Sequence, residues 1–225
     1  MTIRVVAIDG PSGSGKSTVA RALAARLGLE VLDTGAMYRA VTFAALEAGV
    51  DLADGAALGA LAASTVIETA ERVRVNGHDA TAAIRGPEVT GAVSTVSAHP
   101  EVRTVLVERQ RAWAAERGGG VVEGRDIGTV VFPDTPLKVF LTASEDERAR
   151  RRHLDESAAQ RAVDVDRVAQ DLARRDALDA GRAASPLVAA DDAVVVDTTA
   201  RSVDDIVAEL AVLAEARFAR AVPRS

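Results

Sequence analysis

Eight residues near the start of the chain carry the clearest chemistry. Gly10-Pro11-Ser12-Gly13-Ser14-Gly15-Lys16-Ser17 fits the spacing G-x-x-x-x-G-K-[ST] at every position. Its glycines let backbone N–H groups approach an anion that a Cβ would hold off. The Lys16 ammonium suits the junction of β- and γ-phosphates, and the Ser17 hydroxyl suits a magnesium ion bound to them. Lys16 and Lys138 are the only lysines in 225 residues, so a functionless glycine-rich turn is a poor account of this one. Gly10, Ser12, Gly13, Ser14, Gly15, Lys16, Ser17 and Thr18 are therefore the candidate ATP-phosphate residues, with Mg2+ at Ser17.

The flanking elements agree. Ile3–Ile8 is apolar on both faces, as a buried parallel strand is. Val19, Leu23 and Leu27 recur at helical spacing and Gly28 ends the run, so the loop opens a helix whose N-terminus favours an anion. Further apolar runs at Val31-Leu32, Val121-Val122, Leu137–Thr142 and Val194–Val196 alternate with helical stretches, predicting an α/β fold with a central parallel sheet. Ser144-Glu145-Asp146-Glu147 reads as a capping box, and Ser202–Phe218 as the last helix. Around residues 65–85 the rhythm breaks: Arg72-Val73-Arg74-Val75 alternates with period two and Asn76-Gly77 predicts a hairpin. The polar, poorly periodic stretch His153–Asp166 reads as a mobile flap.

A phosphate loop alone leaves ATPases, GTPases and several kinases open. A guanine-reading N-K-x-D is missing, since Asn76 is the sole asparagine. Other stretches narrow the choice. Asp33-Thr34-Gly35-Ala36-Met37-Tyr38-Arg39 closes the second strand, and Glu123-Gly124-Arg125-Asp126-Ile127-Gly128-Thr129-Val130-Val131-Phe132-Pro133 follows the third. Ser94 precedes His99-Pro100-Glu101-Val102-Arg103 and Arg109-Gln110-Arg111, while Arg175-Asp176, Asp179, Arg182 and Ser185-Pro186-Leu187 stand near the end. Together, in this order over about residues 3–213, they resemble the bacterial cytidylate kinases, nucleoside monophosphate kinases of the P-loop class.

The resemblance implies one P-loop kinase domain over 1–225, with a small antiparallel insertion at 65–85 for the monophosphate and a mobile lid at 150–168. It implies transfer of the γ-phosphoryl of Mg·ATP to CMP or dCMP. Ser94, Arg103 and Asp126 would read cytosine, whose N4 amino group donates where the O4 of uracil accepts. Arg39, Arg125 and Arg182 would clamp the acceptor phosphate, since a planar guanidinium suits it. Arg175 and Asp179 would meet the ribose, Thr34 would line the acceptor site, and Arg151 and Arg152 would close on the transferring group. Thr34 replaces a serine of some relatives and Glu123 an aspartate; Glu123 receives no role. Residue by residue, plainer accounts stay open: solvated arginines, or a satisfied loop carboxylate or Mg2+ contact at Asp126. So do two other functions: another small-molecule P-loop kinase, for a different monophosphate or for a hydroxyl acceptor with Asp33 or Asp126 as base, and a non-catalytic nucleotide-binding protein.

Composition sets outer bounds. Without cysteine there is no disulfide or thiol nucleophile. A net charge of −6 argues against a nucleic-acid partner. No apolar run is long enough to cross a membrane, and the N-terminus lacks the pattern of a secretory signal. The expectation is a cytoplasmic protein of small-molecule substrates, with nothing demanding more than a monomer.

Overall fold

The computed structural model describes residues 3–158, 165–182 and 185–221. The chain divides into two compact units, one of Met1–Val31 with Ala114–Ser225 and one of Leu32–Trp113.

The first unit is an α/β layer structure. Its strands are β1 (Arg4–Asp9), β6 (Gly119–Glu123), β7 (Leu137–Thr142) and β8 (Val194–Asp197). They belong to a parallel sheet of order β2-β6-β1-β7-β8; β2 (Val31–Asp33) gives Val31 to this unit and continues into the next. On β1, Val6 stands opposite Val121 on one side and Leu137 on the other. Val5 to Ile8 are all buried, which explains why the strand reads as a continuous apolar run. Helices α1 (Lys16–Leu27) and α8 (Val203–Ala221) close one core: Val19 and Leu23 meet Val6, Ile8, Ile206 and Leu210. Replacing fully buried Leu23 by Ala would cost about 2–5 kcal/mol.

Helices α6 (Glu145–Ala158) and α7 (Val165–Ala180) follow β7. The stretch expected to be an irregular flap is thus helical over 153–158 and 165–166, and 159–164 lies outside the described residues. Half of the expected capping box forms. Ser144 Oγ accepts from Glu147 N–H at 3.3 Å, but the Glu147 carboxylate accepts from Arg150 and Arg151 instead of returning to the cap.

The second unit holds α2 (Thr34–Glu47), α3 (Gly55–Ser64), α4 (Pro87–Val96) and most of α5 (Pro100–Arg117). Its antiparallel sheet has order β3-β4-β5, from Ile67–Thr69, Val73–Val75 and His78–Asp79. Asn76 and Gly77 take φ of 50° and 82°, the paired left-handed turn that an Asn-Gly hairpin favours. Ala36, Ala40 and Ala44 of α2 pack on Val73, Val75 and Ile84. Helix α3 has no counterpart in the sequence reading because its Gly/Ala run shows no polar–apolar contrast. Close packing explains that composition: a Cβ on Gly59 would lie 2.7 Å from Glu101 Cβ. Among the described residues no helix is long and apolar enough to cross a membrane.

Candidate active site

The glycines of the phosphate loop are there for two separate reasons. Gly13 and Gly15 have φ of 78° and 88°, a left-handed conformation that side chains resist. Gly10 sits so near β7 that a Cβ would come within 2.0 Å of Leu141 O. Gly15 caps α1 in the left-handed conformation and brings no side-chain hydrogen bond to its first amides. Lys16 arches back over the loop, its Nζ donating to Gly10 O at 2.8 Å and Pro11 O at 2.7 Å. Burial lowers its pKa to about 7; the positive Arg125 pushes the same way, and Glu123, Asp9 and Asp176 oppose them.

Ser12 is gripped at three polar atoms. Its N–H donates to Asp176 Oδ1 at 3.2 Å, its carbonyl accepts from Arg148 Nη1 at 3.3 Å, and its Oγ accepts from Arg125 Nη2 at 2.7 Å. Arg148 also pairs with the other oxygen of Asp176. Arg125 donates from Nη1 to Gly10 O at 3.0 Å and from Nε to Asp179 at 2.9 Å. Arg182 pairs with the second oxygen of Asp179. Three residues expected at the acceptor, Arg125, Asp179 and Arg182, therefore form one chain of ion pairs ending on the phosphate loop. Asp179 thus accepts from two guanidiniums.

At the end of β6, buried Glu123 accepts from Ser17 Oγ at 2.8 Å. A hydroxyl and a carboxylate converging beside the loop are hard oxygen donors of the kind magnesium takes. Among the described residues no cluster of three or more His, Cys, Asp or Glu forms a metal cage. The Ser17 and Glu123 oxygens are of a type that fits Mg2+. Sequence reasoning gave Glu123 no role, because the contact that does so comes from a residue 106 positions earlier.

Asp9, at the end of β1, was also missed. Its two carboxylate oxygens accept from Ile127 and Gly128 N–H, both at 2.8 Å, holding the segment after Asp126 to the strand that feeds the loop. Burial raises its pKa to about 6 against those two bonds, helped by the nearby Asp126 charge. Residues 127–131 form a π-helical turn, in which the buried Asp126 carbonyl accepts from Val130 and Val131.

Arg151 donates to Glu147, to Thr198 Oγ1 at 2.9 Å and to Thr198 O at 2.8 Å, and its Nη1 lies beside Gly15. Thr198 Oγ1 donates on to Ser14 O at 3.0 Å. Helix α6 and the end of β8 are thereby tied to the loop. Arg152 is half-buried on the same helix, near enough to Arg175 to raise the cost of its charge. Burial, then Arg125, lowers the Arg175 pKa to about 10. Ser14 is fully buried, and Thr18 is exposed on α1.

The remaining candidates belong to the second unit. Thr34 opens α2 and is buried. Arg39 Nη1 donates to Ile84 O and Thr90 Oγ1, both at 2.9 Å, joining α2 to the turn before α4 and to α4 itself. Ser94 is buried on α4. Arg103 is buried on α5 with its Cζ 5.5 Å from the centre of the Tyr38 ring.

The model of the cytidylate kinase family matches residues 6–216. The chain is 52% identical over 218 residues to a cytidylate kinase of Mycobacterium leprae, covering 96% of this chain and 98% of that one. Identity is also 52% over 221 residues to the cytidylate kinase of Corynebacterium glutamicum, covering 96% of each. Among solved structures, a gluconokinase from Sinorhizobium meliloti shares the fold at a TM-score of 0.50 and 18% identity, covering 98% of this chain and 99% of that one.

Proposed function

Because the chain belongs to the cytidylate kinase family, we propose that it transfers the γ-phosphoryl group of ATP to CMP and dCMP, giving ADP with CDP or dCDP. The observation that carries this reading is the chain Arg182–Asp179–Arg125–Ser12, which links acceptor-type arginines to the donor loop within one unit.

The loop amides and Lys16 hold the donor phosphates. Arg39, Arg125 and Arg182 neutralise the acceptor phosphate, Arg175 and Asp179 meet its ribose, and Thr34 lines its site. Ser94, Arg103 and Asp126 read the base. Ser17 and Glu123 would hold Mg2+, which supplies charge neutralisation on the phosphates when bound. A nucleoside monophosphate, with a second pKa of about 6, is largely dianionic at neutral pH. Its oxygen attacks phosphorus while the bond to the ADP oxygen breaks, and no proton has to be removed. Catalysis then rests on alignment and fixed positive charge. Arg151 and Arg152 close on the transferring group from the lid over 150–168, which excludes water from ATP. The 65–85 insertion serves the monophosphate side of the single kinase domain. The protein works as a cytoplasmic monomer on these small molecules, without nucleic acid or membrane.

A coupled assay of ADP release with CMP, dCMP, UMP, AMP and GMP tests the assignment. CMP and dCMP should turn over fastest, and ATP without acceptor slowly. ATP binding without turnover of any monophosphate would overturn it.

A further inference from the structure

The acceptor-side motif Asp33–Arg39 contains a residue to which neither the motif nor the proposed chemistry gives a task. Tyr38 lies on α2, is 8% exposed, and turns its ring toward Arg103 of α5, itself 5% exposed. The guanidinium carbon stands 5.5 Å from the ring centre, within the range of a cation–π contact. Arg103 Nη1 donates to Ser97 O at 3.4 Å, at the long end for such a bond and therefore weakly directional. The ring limits displacement of the guanidinium along the ring normal, a direction that a long hydrogen bond such as the one to Ser97 O controls poorly.

That direction matters for reading a base. Cytosine presents an unprotonated N3 that accepts a hydrogen bond, whereas N3 of uracil carries a proton and donates. A guanidinium aligned with the base edge meets cytosine and is left against a donor in uracil. One displaced from that edge meets both poorly. We propose that Tyr38 is a positioning residue that fixes Arg103 by its ring face and thereby sets the preference for cytosine over uracil. The proposal rests on the reading of Arg103 as a base contact.

The test uses the full chain with Tyr38→Phe, Tyr38→Leu and Arg103→Met. It measures kcat/KM for CMP and UMP at saturating ATP, KM for ATP, and Tm. Tyr38→Phe keeps the ring and should hold the CMP/UMP ratio within about twofold of the parent. Tyr38→Leu should raise KM for CMP and lower the ratio by about tenfold, leaving KM for ATP unchanged. A purely structural role would lower Tm without changing the ratio, and that result would overturn the proposal. If Tyr38→Leu does not fold, pentafluorophenylalanine at position 38 keeps the ring shape and reverses its quadrupole. The ratio should then fall as with Leu, and an unchanged ratio would overturn the proposal. Arg103→Met separates the two layers. An unchanged ratio in that variant refutes base reading by Arg103 itself. A collapsed ratio there, with Tyr38→Leu at the parental value, refutes only the role of Tyr38.

Discussion

Three helix N-termini are finished in opposite ways, those of α2 and α3 in one unit and that of α1 in the other. In the Leu32–Trp113 unit, α2 and α3 are capped by their own carboxylates: Asp33 accepts from Ala36 N–H and Asp54 from Ala57 N–H, each at 3.0 Å. In the other unit, α1 begins at Gly15 with no side-chain cap. A capped end has spent its positive dipole on an internal anion. An end without such a cap keeps amides available to an external one. The contrast teaches that the phosphate site is defined as much by the carboxylate left out at Gly15 as by the lysine put in at position 16.

Lys16→Met should give the largest effect, lowering kcat/KM for phosphoryl transfer by about 10²–10³, as loss of one preorganised charge contact does. Coupled kinetics measure it, and a loss under tenfold would mean that the amides alone define the site. Gly13→Ala comes next. Its Cβ would lie 2.9 Å from Arg148 O on a backbone already at φ 78°, so thermal unfolding should show a loss of about 1–3 kcal/mol. Weakened ATP binding should accompany it. Asp54→Ala sharpens the comparison from the capped side. It should cost about 1 kcal/mol in denaturant unfolding with unchanged kinetics, and impaired transfer would erase the distinction between the two kinds of helix end.

The smallest effect is a proton. Lys16 has its pKa lowered to about 7 from 10.5, so above pH 7 the unfolded chain holds more protons there than the folded one. Its contribution makes stability rise with pH between those two values. A bound polyanion favours the charged form, so ATP binding near pH 8 should take up as much as about one proton. Calorimetry in buffers of different ionisation enthalpy reads this uptake. It should fade toward pH 6 and disappear in Lys16→Met.

The loop and the hairpin were legible because each is written in adjacent residues: glycines at fixed spacing before a helix, and Asn76-Gly77 between alternating apolar positions. The sheet strands were legible because burial on both faces leaves a plain apolar run. Helix α3 was not, since its small residues answer to Glu101 across the packing contact rather than to water. Within His153–Asp166 the described residues 153–158 and 165–166 are helical, which a polar and poorly periodic stretch does not announce. Asp9, Glu123 and Asp176 stood inside or beside recognised motifs, yet their bonds reach 118, 106 and 164 positions along the sequence. Such pairings exist only after folding, so no local pattern announces them.

The threefold hold on Ser12 has a consequence for anyone wishing to borrow this motif. Its partners come from 113, 136 and 164 residues downstream. A peptide of the first thirty residues would contain every letter of the signature and none of these struts. Transplanted alone into a foreign strand–helix junction, the segment would have to organise its amides at the moment the nucleotide arrives, and part of the affinity would be lost to that ordering. A successful graft would carry the Arg125, Arg148 and Asp176 side chains with it.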